Sequence, residues 1–121
     1  MDSLNTKPIT IELPWPPSIN TYWRRNGDRY FICPAGVKFR LQTVTTCYHF
    51  KHYFKPHERL AVLVEAYPPD KRKRDLDNLL KPILDALQHA TVFEDDNQID
   101  KLSIWRTLPY LSLIRVTIGV I

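Results

Sequence analysis

Apolar and polar residues alternate through Ile9-Thr10-Ile11-Glu12-Leu13, the two-residue period of a strand with one buried face. Pro14-Trp15-Pro16-Pro17 cannot extend a ladder, because proline lacks the amide donor, so residues 14–26 are predicted to form an ordered loop. A short strand is expected at residues 29–33. Pro34 suits a first helical turn, and Val37, Leu41, Val44 and Tyr48 recur every three or four residues, which predicts a helix. Residues 49–57 read as a polar connection. Leu60 to Tyr67 is nearly all apolar and predicts a central strand, stopped by Pro68-Pro69-Asp70.

The clearest helix follows. Leu76, Leu79, Leu80, Ile83, Leu84 and Leu87 form one apolar stripe, and Asp75 or Asp77 can cap its first amides. Pro82 interrupts it at a cost of about 3 kcal/mol in a helix interior, less if the helix begins at Asp77 or Asn78. Two last strands are expected at about 98–107 and 111–120, joined by a turn at Pro109-Tyr110. The pattern predicts a mixed α/β fold: one small sheet of four to five strands with two main helices packed on it.

A chain of 121 residues fits one domain, here taken as 1–121, and 44% hydrophobic residues suffice for a core. Cys33 and Cys47 form neither a disulfide framework nor a C-x-x-C motif, and are expected to be reduced and packed. Residues 1–15 lack an apolar leader segment, and no apolar run approaches the ~20 residues of a membrane span, so a soluble, intracellular (cytoplasmic) protein is expected. No nucleotide-cradling glycine motif occurs among three glycines, which argues against a nucleotide cofactor. The histidines 49, 52, 57 and 89 lack a zinc-site spacing except for the pair His49/His52, which has no other obvious ligands, and they are expected to be surface or structural.

Net charge is +4, and its distribution matters more than its size. Lys71-Arg72-Lys73-Arg74 runs into Asp75-Leu76-Asp77-Asn78, and Glu94-Asp95-Asp96 follows about twenty residues later. Eight of the thirteen acids fall between Asp70 and Asp100. Cations attract phosphate. Clustered carboxylates suit a hard divalent metal such as magnesium or manganese. Together they suggest phosphodiester cleavage. On a helical wheel Asp77, Lys81 and Asp85 share the face opposite the leucines. Asp75 and Asp77 also suit capping, with Lys81 as a salt-bridge partner, and the pattern alone leaves both readings open. Trp15, Tyr22, Trp23, Arg24 and Arg25 mix aromatics with cations in a way that suits unpaired bases, or a loop folded onto the core.

These residues carry a resemblance. Leu13-Pro14-Trp15-Pro16-Pro17-Ser18 with Asn20 and Tyr22, the run from Pro69 through Asp75-Leu76-Asp77-Asn78-Leu79 to Lys81, Asp85-Ala86-Leu87, and Asp95-Asp96 together resemble the RusA-type crossover junction endodeoxyribonucleases over nearly the whole chain. The resemblance implies a homodimer that binds branched double-stranded DNA, a four-way Holliday junction, and makes paired symmetric nicks with magnesium, or manganese as substitute. It implies Asp75, Asp77 and Asp96 as metal ligands and, with Lys81, as catalytic residues. It further implies that Lys71, Arg72, Lys73, Arg74, Trp23, Arg24 and Arg25 hold the DNA. A non-catalytic junction-binding protein on the same fold is the alternative. The chain departs from the family's pattern at Ile19, at Pro82 directly after Lys81, and at Glu94 beside Asp95-Asp96.

Overall fold

A computed structural model of the chain describes residues 6–18 and 23–121, with only the backbone path given at 23–26. Among the described residues six strands form: β1 (Ile9–Pro14), β2 (Trp23–Asn26), β3 (Arg29–Ile32), β4 (Leu60–Tyr67), β5 (Ile99–Arg106) and β6 (Leu113–Val120). The described residues also form two helices, α1 (Pro34–Thr46) and α2 (Asp77–His89), and short 3-10 turns at Tyr48–Phe50 and Asp96–Gln98.

Four strands make the main sheet, in the order β1-β6-β4-β5. β6 lies antiparallel between β1 and β4, and β5 runs parallel to β4. The alternation in β1, β4 and β6 turns Ile9, Ile11, Leu13, Val62, Val64, Ile114, Val116 and Ile118 into the core. The same pleat turns Thr10, Glu12, Arg115 and Thr117 outward. Across that outer face Arg115 pairs with Glu12 at 3.0 Å. The predicted mixed α/β sheet with two helices is therefore present. β2 and β3 form a separate two-stranded hairpin, so the predicted loop over 14–26 ends in a strand at Trp23. Gly27 at φ +64 supplies the left-handed turn between them.

α1 departs from its predicted face. Val37, Leu41 and Tyr48 are 46%, 61% and 62% exposed, while Gly36, Phe39 and Thr43 are buried. The bulkiest side chain, Phe39, sets the inward face. Thr43 can follow it because its hydroxyl donates to the Phe39 carbonyl at 2.8 Å and enters the core satisfied. Both cysteines are buried, and burial pushes the Cys47 thiol up to about 11.

α2 follows its predicted stripe, burying Leu79, Pro82, Ile83, Ala86 and Leu87. Leu76 occupies the N-cap position in helical conformation, and no side chain caps the helix. Its first amides are taken up by tight turns instead, with Asn78 N–H donating to the Asp75 carbonyl at 3.3 Å and Leu79 N–H to the Leu76 carbonyl at 3.0 Å. The predicted capping role of Asp75 or Asp77 is thereby corrected. Pro82 sits past the first turn, within the core-facing stripe.

β1, β4 and β5 all point their carboxyl ends at one edge of the molecule. Crevices outside such strand ends are where open α/β sheets place ligands. Three connections meet there and are pinned together. Trp15 N–H donates to the Ser112 carbonyl at 3.1 Å, Ser112 N–H to Pro68 at 3.3 Å, and Thr107 N–H to Ala66 at 2.9 Å.

Candidate functional site

α2 presents Asp77, Lys81, Asp85 and Gln88 on one side, at the spacing that brings helical neighbours onto one face. With Leu80, Leu84, Leu102 and Asp96 they line a shallow depression of about 470 Å³. Asp85 is already engaged: its carboxylate accepts from Arg40 Nε at 2.9 Å and Nη2 at 3.1 Å, which ties α1 to α2. Among the described residues, by contrast, the side chains of Asp75, Asp77, Lys81 and Asp96 make no hydrogen bond or ion pair.

Asp96 enters the depression because its turn is clamped. The Asp95 carboxylate accepts from Asn97 N–H at 2.9 Å, a local cap. Gln98 is buried beneath it and fully used. Its Oε1 accepts from Glu94 N–H at 2.9 Å and Asp95 N–H at 3.1 Å. Its Nε2 donates to the carbonyls of Lys55 at 2.8 Å and Glu58 at 3.0 Å. Gln88 accepts from Asp96 N–H at 3.0 Å and joins the turn to α2. Of the adjacent acids, Asp95 spends its carboxylate on the chain and Asp96 does not.

Asp75 lies elsewhere. It borders a second depression of about 660 Å³ at the strand ends, lined by Trp15, the 70–76 loop, Leu79, Arg106, Leu108 and Tyr110. The basic run here divides in two. Arg74 is held inward: it pairs with Asp70 at 2.9 Å, donates to the carbonyls of Asp70 and Arg72 at 3.2 Å each, and lies 5.7 Å from the Trp15 ring centre. Lys71, Arg72 and Lys73 are exposed, Arg72 with a looser pairing to Asp70 at 3.6 Å. The hydrogen bond from Arg74, helped by the Arg72 amide, holds the Asp70 carboxyl below the usual carboxylate range. Arg106 adds a cation that the basic run does not contain, and donates to the Arg74 carbonyl at 2.7 Å.

The expected site residues thus fall into two adjoining groups. Asp77, Lys81 and Asp96 share one depression, and Asp75 borders the other with Lys71 to Arg74. Asp77 and Gln88 are separated by about 16 Å along the helix axis, so the acids flank an elongated strip. Among the described residues no three His, Cys, Asp or Glu side chains converge to hold a metal ion. The donor chemistry nevertheless fits a hard cation, since the carboxylates are unpartnered and open to solvent. Magnesium commonly takes only one or two carboxylates and completes its shell with water and substrate phosphate. The side chains of Trp23, Arg24 and Arg25, and all of residues 19–22, lie outside what is described.

Sequence reasoning missed Gln88, Gln98, Arg106 and Tyr110. For Gln98 a signal was present, since Asp95-Asp96-Asn97-Gln98 carries the D-x-x-Q spacing of a capping box. Arg106 and Tyr110 reach the pocket only through strand order.

Comparison with known proteins gives one consistent result. Residues 14–120 match the family model described as Endodeoxyribonuclease RusA. The chain is 46% identical over 94 residues to the crossover junction endodeoxyribonuclease of Enterobacteria phage HK97, covering 78% of each. It is 38% identical over 96 residues to the corresponding Shigella sonnei protein, covering 79% of this chain and 78% of that one. The Enterobacteria phage 82 protein of the same name is likewise 38% identical over 96 residues, with the same coverage.

Proposed function

The chain belongs to the Endodeoxyribonuclease RusA family and acts as a crossover junction endodeoxyribonuclease, and we propose that it cuts by metal-assisted hydrolysis on the Asp77–Lys81–Asp96 face. One observation carries this reading. Among the described residues the side chains of Asp75, Asp77, Lys81 and Asp96 make no hydrogen bond or ion pair, while neighbouring charges such as Asp85 and Arg74 are bound to the chain. Unpartnered charge of both signs beside a phosphate-binding surface suits a ligand that brings metal and phosphate together. A purely DNA-binding protein would have no use for exposed carboxylates next to its phosphate contacts.

Asp77 and Asp96 are the residues that would hold magnesium or manganese on this face, and we assign Asp75, which precedes α2 and borders the adjoining depression, as the third ligand. Such an ion would supply Lewis acidity at the phosphate and a lowered pKa for its water. Lys81 lies between them on the helix face, where its ammonium can hold a non-bridging phosphate oxygen and meet the negative charge that grows on it. Lys71, Arg72 and Lys73 hold the flanking backbone. Paired nicks in a junction require two such faces, which a twofold homodimer provides.

The test uses a labelled four-way junction and a linear duplex, with magnesium and with chelator, for wild type and Asp77→Asn. Paired, metal-dependent nicks on the junction, absent in the variant, are expected. Junction binding without cutting under every condition would leave a binding protein only.

A further inference from the structure

The 660 Å³ depression at the strand ends contains more than cleavage requires. Phosphate needs only cations, yet beside Arg106 and Thr107 the lining carries Leu108 and Tyr110. Leu108 is 64% and Tyr110 49% exposed, on a connection between β5 and β6. Core packing does not account for large apolar side chains held in solvent on a charged surface. The walls are also braced against one another. The Trp15, Ser112 and Pro68 backbones are linked in series at 3.1 and 3.3 Å, and Arg106 fixes the Arg74 carbonyl at 2.7 Å. A cavity held open in this way loses little freedom when a ligand enters.

We propose that this pocket receives one unpaired nucleobase from the branch point of the DNA, its face against Tyr110 and Leu108 and its phosphates on Arg72 and Lys73. The charge of the rim fits a polyanion, and the apolar wall fits a base face, which an intact duplex keeps covered by stacking. Trp15 also lines the pocket, but Arg74 already lies over its ring, which leaves Tyr110 as the stacking surface. Unpaired or poorly stacked bases cost least to extract, so such a pocket selects branched over continuous DNA. Asp75 borders the pocket and begins the turn into α2, so a captured base would fix the backbone next to the acidic face. This inference rests on the DNA reading above and adds the feature of the DNA that is recognised.

The test measures binding of the full chain in chelator, so that cutting plays no part. The probes are a four-way junction and a linear duplex of the same sequence. Tyr110→Ala is expected to weaken junction binding about tenfold, the scale of losing one stacked base, and to leave duplex binding unchanged. Tyr110→Trp should retain junction affinity, and Arg72→Ala should weaken both DNAs together. Thermal melting of each variant establishes that it is folded. Unchanged junction affinity in Tyr110→Ala, or an equal loss on both DNAs, overturns the proposal. The two readings fail separately. A wild-type chain that prefers junctions through Tyr110 but never cuts upholds the pocket and removes the nuclease. A chain that cuts normally with Tyr110→Ala binding like wild type does the reverse.

Discussion

The two depressions around α2 handle charge in opposite ways. On the Asp77–Lys81–Asp96 side the groups proposed to bind metal and phosphate make no side-chain hydrogen bond or ion pair among the described residues, and the surrounding chain holds the Asp96 backbone rather than its side chain. On the Trp15–Arg106 side part of the charge is consumed internally. Arg74 and Asp70 brace the loop, and Lys71, Arg72 and Lys73 are displayed on it. The difference separates two tasks. A group that must bind metal or phosphate gains from having no competing partner in the protein. A loop that must present several like charges needs a fixed frame, because mutual repulsion would otherwise splay it.

The largest test of that division lies at two adjacent acids. Asp96→Asn should lower the cleavage rate by about 10²–10³-fold, the scale of losing one electrostatic contact at a transition state, with junction affinity in chelator unchanged. Asp95→Asn should cut within about threefold of wild type, since asparagine caps a turn as well as aspartate does. Single-turnover cleavage of both variants checks this, and equal losses would erase the distinction between a free and a spent carboxylate.

Next in size is the buried clamp. Gln98→Leu strips partners from two amides and two carbonyls, and should cost about 2–4 kcal/mol. Urea unfolding should show a lower midpoint at an unchanged slope. At the basic loop, Lys71→Ala and Lys73→Ala should each weaken DNA binding uniformly and reduce the salt-dependence slope by about one. Arg74→Ala should weaken binding with little change in that slope, because its charge is already spent within the loop. A slope change in Arg74→Ala as large as in Lys71→Ala would show that the internal and displayed cations are equivalent.

The smallest effect is on pH. The Asp70 carboxyl lies below its ordinary range when folded, because Arg74 and the Arg72 amide favour the charged form. Its contribution to loop order is therefore present above the ordinary carboxylate range and lost as pH falls through the lowered native value. Amide exchange at residues 70–74, taken relative to the intrinsic rate at each pH, should rise on acidification in wild type. In Asp70→Asn it should already be raised at neutral pH and stay insensitive to acid.

Much of the frame was legible in the sequence because period and chemistry agreed. The alternation at residues 9–13, the apolar run of β4 and the leucine stripe of α2 each had one burial solution. α1 misled because its apolar spacing and its buried face differ. Phe39 outweighs the smaller aliphatic residues, and a threonine bonded to its own helix can be buried. The candidate acids were legible as types, but their sorting was not. Asp95 differs from Asp96 through a local cap whose D-x-x-Q spacing sequence reasoning passed over, whereas Asp85 differs from Asp77 only through Arg40, a contact that appears once the chain is folded. The cavity wall at Leu108 and Tyr110 was hidden for a related reason. β6 pairs with β4 on the side away from β5, and that crossover carries the intervening residues over the strand ends beside the 68–75 loop.

That crossover also divides the chain into places that accept redesign and places that do not. The exposed side chains of Lys71 and Lys73, between β4 and α2, and of Leu108 and Tyr110, between β5 and β6, take no part in strand pairing or in the bonds that brace these connections, so exchanging them leaves the frame intact. In this scaffold they are the natural sites for grafting a different substrate preference. The stretch 94–98 offers no such latitude, because every residue added between Glu94 and Gln98 would pull one glutamine away from four backbone partners at once.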